Sequence, residues 1–410
     1  MQSVTVHAPD VPALWAGDGF DELDESWLRA RPGIKWGIAG PDVLPCWIAD
    51  MDYPAPAPVR VALARLAAGG DLGYTRGNGA ALLEEKWALR MATRYSWAPA
   101  PGRLRVFTDL IQVVEAVVHL ATSPGDGVML FTPAYPPFVE AVEKMGRRLL
   151  AVPAVDEGAG WSFDLGTAAV RAAEAKILVL VNPHNPTGRM LTRPELLAVA
   201  EMVHRHGLIV ISDEVHADLA LTDAGVHVPF ASISGDMAER TVTLYSASKS
   251  YNLGGMGCAV AHVGHPGVER QLSGLPPHLL GGAGAAALTT TLASWSVEGD
   301  AWLDRCLARL RDNRRLLGDW LAGEGGAVGV KGYLPEATYL SWLDFRPAGL
   351  GDHPATWLLE QAKVRLNSGP TFGPGGAGFA RLNFATTPSL LGEILGRIAG
   401  ALGDRREPRA

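Results

Sequence analysis

TVTLYSASKSYNLGG, residues 241–255, runs from a short β-branched stretch into a lysine set among hydroxyls. Thr241–Tyr245 has the length and composition of a strand buried on both faces. Lys249 follows it, flanked by Ser246, Ser248 and Ser250, with the glycine-rich NLGG close behind. Lysines ordinarily sit on solvated surfaces. This one is either part of an exposed loop or a chemical group with hydroxyls placed to hold an anion beside it. The stretch alone leaves both readings open.

Working outward, the same design recurs twice upstream. KILVLV (176–181) leads into NPHNPTG (182–188), and LIVIS (208–212) leads into DEVHADL (213–219). Further strands are expected at Gly127–Phe131 and Ala259–Val263. Helices are expected at Val113–Ala121, at Pro136–Lys144 and at Arg193–His206, the last opened by Thr192. Short apolar strands alternating with helices define an α/β fold with a mostly parallel sheet, in which ligands bind beyond the carboxyl ends of the strands. Asn185, Asp213 and Lys249 then lie at three successive strand ends, on one edge of the sheet. From about Leu292 the pattern changes to a long helix, roughly Val297–Leu321, followed by a Gly-rich break and a shorter α+β pattern. Four segments are expected: an N-terminal arm (1–50) packing on the smaller domain, a large domain (51–291), a small C-terminal domain (292–402) and a flexible tail (403–410).

Bulk properties narrow the function. With 410 residues, 48% apolar and 19% charged, the chain suits a soluble globular protein of two or three domains. A net charge of −7, with arginines spread along the chain, argues against nucleic acid or an anionic membrane as partner. Cys46, Cys258 and Cys306 are odd in number and far apart, which speaks against a disulfide framework or a metal site and for a reducing compartment. The first 25 residues have neither a basic start nor an apolar centre, and no apolar run approaches the roughly 18 residues that span a bilayer. A cytoplasmic location is expected.

The strand-end residues suit one chemistry. If Lys249 forms an imine with an aromatic aldehyde, the aldehyde's ring needs an acid at its nitrogen, a donor at its phenolic oxygen, an aromatic plate and donors for a phosphate. Asp213 can keep a ring nitrogen protonated, an attraction of about 4 kcal/mol at 4 Å with an effective dielectric near 20. Asn185 can donate to the phenolic oxygen, and His216 can face that oxygen or orient Asp213. Tyr135, in TPAYPPF (132–138), can stack on the ring. Ser246 and Ser248 can bind phosphate oxygens. Taken singly, each has an ordinary reading as a cap, turn, core or surface residue, as does Arg381 in FARLNF. Their joint occurrence at successive strand ends favours the chemical reading.

Together NPHNPTG, SDEVHADL and SASKSYNLGG resemble the fold-type I, pyridoxal-phosphate-dependent aminotransferase superfamily, class I/II. LPCWIADMDYPAP (44–56), LGYT (72–75), TPAYPPF and LNSGPTFGPGGAGFARLNFAT (366–386) resemble its MalY/PatB branch, the cystathionine β-lyase-like C–S lyases. The likeness runs from about residue 35 to residue 400. It implies a large domain built on a mostly parallel seven-stranded sheet, a smaller α+β C-terminal domain, and pyridoxal 5'-phosphate as cofactor. By the same resemblance Lys249 is the Schiff-base lysine and proton carrier, with Asp213 and Tyr135 completing the catalytic set. Asn185 and His216 attend the ring, and Arg381 binds the carboxylate of a small amino-acid substrate with its planar fork. Tyr74 reaches the phosphate of a second subunit, so a homodimer with interfacial sites is implied. Asp50 and Asp52 are placed near the mouth of the site.

Two departures stand out. Gly257 occupies a position where many relatives carry a phosphate-binding arginine. TDLIQ (108–112) replaces a proline–glycine turn, which leaves the backbone N–H groups of Leu110 and Ile111 as phosphate donors at a helix start. The implied reaction is α,β-elimination from an L-cysteine S-conjugate or cystathionine-like amino acid, giving thiol, pyruvate and ammonia. Transamination is the alternative, as is a specialised biosynthetic step on a large cysteine S-conjugate by elimination, decarboxylation or oxidative deamination. A non-catalytic regulator on the same fold is a further reading. Trp36, Tyr333 and Tyr339 are candidates for the substrate-facing wall or for core.

Overall fold

The computed structural model describes residues 17–406 apart from 71, 75–78, 223–224 and 277. Residues 1–16 of the expected arm, Thr75 of LGYT and 407–410 of the expected tail lie outside that range. The arm contributes β1 (Leu44–Pro45). The central sheet contains β2 (Leu104–Phe107), β3 (Gly127–Thr132), β4 (Arg148–Asp156), β5 (Trp161–Phe163), β6 (Ala175–Val181), β7 (Ile209–Asp213), β8 (Thr241–Tyr245) and β9 (Ala259–Val263). Their spatial order is β2-β9-β8-β7-β6-β3-β4-β5. Strands β3, β4, β6, β7 and β8 pair in parallel, whereas β9 runs antiparallel to both β8 and β2.

The sheet therefore has eight strands where seven were expected. The additional one, β5, is a three-residue antiparallel partner of the end of β4, too short to show any alternation. Strands β3 and β8 are buried at every position, because crossover helices cover both faces. One face packs Val113, Val117, Ile211 and Leu244 into a core, and the other packs Leu178, Val199 and Val210.

Helix ends follow local chemistry. Arg193–His206 opens on a capping box between Thr192 and Glu195 and closes on Gly207 in the left-handed region (φ 66°). The helix expected from Val113 starts instead at Leu110, because Asp109 accepts the Ile111 N–H and caps it. Beyond the sheet, a long helix Val297–Ala322 leads into a four-stranded antiparallel sheet. That sheet contains β10 (Lys331–Gly332), β11 (Leu340–Asp344), β13 (Asn367–Ser368) and β14 (Phe379–Asn383) in the order β10-β11-β14-β13. The remaining strand, β12 (Val364–Arg365), pairs in parallel with β1. Asp18 and Asp21 pair with Arg305 and Arg309 of the long helix. The last helix runs Pro388–Arg406, so residues 403–406, expected in a flexible tail, are helical.

Candidate active site

A cavity with about 710 Å³ of empty space opens at the carboxyl ends of β6, β7 and β8. Asn185, Asp213, His216, Ser246, Ser248 and Lys249 all line it, together with Tyr135, Leu110 and Ile111. Each reaches it for a local reason.

NPHNPTG closes on itself. His184 Nδ1 lies 2.8 Å from Thr187 Oγ1, and Asn182 Oδ1 accepts the Leu191 N–H at 2.9 Å. Burial holds the His184 pKa at about 3, so its ring is neutral. Asn185 Oδ1 accepts from Arg381 Nη1 at 2.9 Å. With its oxygen so engaged, the amide NH₂ is the donor left for the cavity.

DEVHADL divides its polar residues between two tasks. Glu214 turns into the protein, where it accepts from Ser212 Oγ (2.8 Å) and the Phe230 N–H (3.0 Å) and pairs with His227 Nε2 (2.9 Å). Asp213, the last residue of β7, faces the cavity and accepts the Val215 N–H at 3.1 Å. Burial pushes its pKa up to about 6, against the pull of that N–H and of the Lys249 charge. His216 is held down at about 3 by burial, then by the charges of Lys249 and Arg381, and its Nδ1 has no partner. Asp218 accepts from Tyr95 at 2.6 Å and from Tyr245, and pairs with Arg90 at 2.9 Å.

Lys249 sits on a single helical turn, Ala247–Ser250, capped by Ser246. Its amine donates to the Ala49 carbonyl at 3.0 Å, and the Tyr339 hydroxyl donates to the same oxygen at 3.0 Å. Burial lowers the Lys249 pKa, partly offset by Asp50. Ser246 accepts the Ser248 N–H at 3.0 Å and donates to the Cys258 carbonyl at 2.7 Å. Its single proton is engaged by that carbonyl, so donating to a phosphate would require the hydroxyl to turn away from Cys258. The Ile111 N–H is likewise taken, by Asp109 Oδ1 at 2.6 Å. Leu110 and Ser248 remain as candidates at that end.

Tyr135 immediately precedes the helix Pro136–Lys144 and meets Phe138 edge-on, with ring centroids 5.5 Å apart. Arg381, on β14, is 1% exposed. Its Nη2 donates to the Trp47 carbonyl at 3.0 Å, its guanidinium lies over Phe372 at 5.0 Å, and its Nε has no partner. No carboxylate among the described residues pairs with it within 4 Å, and burial lowers its pKa to about 10.

Other expected residues fall elsewhere. Tyr74 is fully exposed and does not line the cavity. Asp50 lies behind Ala49, where its backbone carbonyl accepts from Lys35 and Asn383. Asp52 is buried against Lys35 Nζ (2.9 Å) and Trp36 Nε1 (2.6 Å), so neither Asp52 nor Trp36 is at the mouth. Tyr333 bonds Asp156 in a separate cleft. Asn252 was not singled out by sequence. It accepts the Met51 N–H at 2.9 Å and donates to the Met51 and Tyr53 carbonyls, lacing the lysine turn to the ADMD segment. Its signal was only a polar residue before a glycine pair.

The match to known proteins agrees with this constellation. The model of the aminotransferase class I and II family matches residues 44–398, and the chain belongs to that family. Among its relatives, cystathionine beta-lyase PatB of Bacillus subtilis is 34% identical over 392 residues, covering 93% of this chain and 99% of that one. Cystathionine beta-lyase of Corynebacterium glutamicum is 31% identical over 384 residues, with 93% and 100% covered. The solved structure of cystalysin from Treponema denticola, which contains a pyridoxal 5'-phosphate cofactor, superposes with a TM-score of 0.85 at 27% identity, covering 92% and 98%.

Proposed function

We propose that this protein is a pyridoxal-phosphate-dependent carbon–sulfur β-lyase. It takes an L-cysteine S-conjugate or a cystathionine-like amino acid and, with one water, releases thiol, pyruvate and ammonia by α,β-elimination. The observation that carries the reading is one cavity holding a buried amine and a buried acid of raised pKa, with an uncompensated arginine beside it.

The residues fit the cofactor. Asp213 is an acid that burial has made reluctant to ionise, so a cationic ring N–H opposite it removes a real penalty. The Asn185 amide and His216, whose Nδ1 has no partner, line the same cavity and would attend the cofactor's phenolic oxygen. Tyr135 offers the plate, and Leu110 and Ser248 the donors for phosphate. When bound, the cofactor supplies an electron sink for the substrate's α-carbon.

The chain's own groups do the rest. Arg381 draws in the substrate carboxylate, which becomes the counter-ion that the buried guanidinium lacks. Lys249, whose pKa burial lowers, accepts the α-proton. Asn185, fixed by its bond to Arg381, couples seating of the carboxylate to the position of the ring. Tyr74 is fully exposed and Leu72 mostly so, which supports their reaching the site of a second copy in a homodimer. No helix among the described residues is long and apolar enough to cross a membrane, which is compatible with the cytoplasmic location proposed here.

The test is to incubate the purified, cofactor-loaded protein with cystathionine or an S-alkylcysteine and assay thiol, pyruvate and ammonia. Equimolar release, lost in Lys249→Ala, is the expected result. Amino transfer to an added keto acid without thiol release refutes the lyase and selects the aminotransferase reading.

A further inference from the structure

One end of the cavity is formed where the helix Leu110–Ala121 begins, and the residue capping it is an acid. Asp109 lines the cavity at its exposed mouth and holds the Ile111 N–H. The turn before it is clamped: the Thr108 N–H and hydroxyl both donate to Gln112 Oε1, at 3.2 and 2.9 Å. Gln112 itself donates to the Leu280 carbonyl at 2.6 Å. Asp109 therefore belongs to a built turn. Across from it, Ser246 gives its proton to Cys258, and Gly257 (φ 69°) presents no side chain, with only the Thr108 carbonyl within 4 Å of where a Cβ would stand. Among the described residues lining the cavity, Lys249 is the one Lys or Arg. An anion at this end meets a helix terminus equivalent to about half a positive charge, one of whose first N–H groups is engaged, and a carboxylate.

Resting on the cofactor reading above, we propose that Asp109 makes this subsite favour the singly charged form of the cofactor's phosphate ester, so that the cofactor is held less tightly as pH rises. A phosphate monoester loses its second proton near pH 6. Below that pH the ester carries one charge and a proton that Asp109 can share. Above it, a doubly charged ester faces a carboxylate, and the one lysine or arginine among the described residues lining the cavity, Lys249, is the group that would hold the aldehyde. Other titratable groups also face the cavity: Asp213, Lys249, His216, Tyr135 and Cys258, with Arg381 and Asp50 acting on Lys249 from behind. Asp109 also acts on Lys249 and Tyr135, and pyridoxal, which keeps the aldehyde but lacks the phosphate, separates that effect from the one on the ester.

The test uses Asp109→Asn and, separately, Asp109→Ser, since Asn and Ser cap helices about as well as Asp. The dissociation constant of the cofactor from the loaded protein is measured by equilibrium dialysis between pH 5.5 and 8.5, read from the absorption of the bound cofactor. Because Asp109 is open to solvent, the effect is sized with the dielectric of water, and both variants are expected to hold pyridoxal phosphate about fivefold more tightly than wild type at pH 8. The gap closes toward pH 5.5. Pyridoxal, which lacks the phosphate, binds wild type and variants alike. Equal affinities at pH 8, or the same gain with pyridoxal, overturns the proposal. A wild type that takes up neither compound overturns the proposed function itself, and this inference with it.

Discussion

Replacing Asp213 by Asn tests the electrostatic reading of the site without any turnover. Burial raises this carboxyl from an ordinary 3.8 to about 6. At about 1.4 kcal/mol for each tenfold change in a protonation equilibrium, ionised Asp213 costs the cofactor-free fold about 3 kcal/mol. The sign follows from proton binding. Below about pH 3.8 folded and unfolded chains both hold the proton, and the residue costs nothing. Between there and about pH 6 only the folded chain holds it, so stability falls as pH rises, and above about 6 the loss is complete. Asn keeps an acceptor for the Val215 N–H, now at 3.1 Å, and never ionises. Cofactor-free Asp213→Asn is therefore expected to exceed the wild type in stability by about 3 kcal/mol at pH 7.5 and to converge with it near pH 4. Urea unfolding followed by the fluorescence of the chain's 12 tryptophans reads this. Loading with cofactor should reverse the order, because only the wild type gains a pair with the ring nitrogen. Equal midpoints at pH 7.5, or a gap that ignores pH, would refute the argument.

Arg381→Lys keeps a charge but loses the fork that reaches Asn185 and the Trp47 carbonyl. A fall of about 10- to 100-fold in kcat/KM is expected, mostly as a raised KM for the amino acid in steady-state kinetics. Gly188 sits at φ 70°, and a Cβ there would stand 2.2 Å from Pro335 Cβ and 2.9 Å from its Cα. Its carbonyl accepts the Glu336 and Ala337 N–H groups, tying NPHNPTG to the segment before β11. Gly188→Ala is expected to cost more than about 2 kcal/mol, read as a lowered thermal midpoint.

Much of this molecule was legible in its sequence, and what was not has a common cause. Strands β8 and β9 and the helices Pro136–Lys144 and Arg193–His206 lie at the expected residues, because caps, prolines and apolar runs act locally. Asn185, Asp213, His216 and Lys249 meet in one cavity because a parallel sheet aligns its strand ends. What escaped depends on distant partners. Strands β10, β12 and β13 have two residues each and exist only through their pairing. Arg90 reads as an ordinary helical arginine, yet it is 5% exposed and bonds Tyr245, Tyr251 and Asp300 while pairing with Asp218. Nothing near residue 90 announces those contacts. The bonds that engage the Ser246 hydroxyl and the Ile111 N–H escaped for the same reason: which partner a donor finds is decided by neighbours, not by residue type.

That distribution of partners is itself the strongest physical sign of function. Buried charges are expensive unless paired, and this fold pairs most of them. Lys35 holds Asp52, His227 holds Glu214, and Arg90 holds Asp218. Asp213 differs from Glu214 by one position on the same strand end, so the fold had the means to satisfy both. It gives the glutamate three partners in the interior and leaves the aspartate facing a cavity with one backbone N–H. Arg381 has two neutral acceptors, Asn185 and the Trp47 carbonyl, and no acid among the described residues. The Arg90 cluster, running through Tyr245 and Tyr251 on either side of the lysine turn and through Asp218 beyond His216, holds these exposed costs in register. A carboxylate without a cation and a cation without a carboxylate, both acting on one buried amine, weaken the cofactor-free fold, and that cost is offset in a protein whose ligands bring the opposite charges.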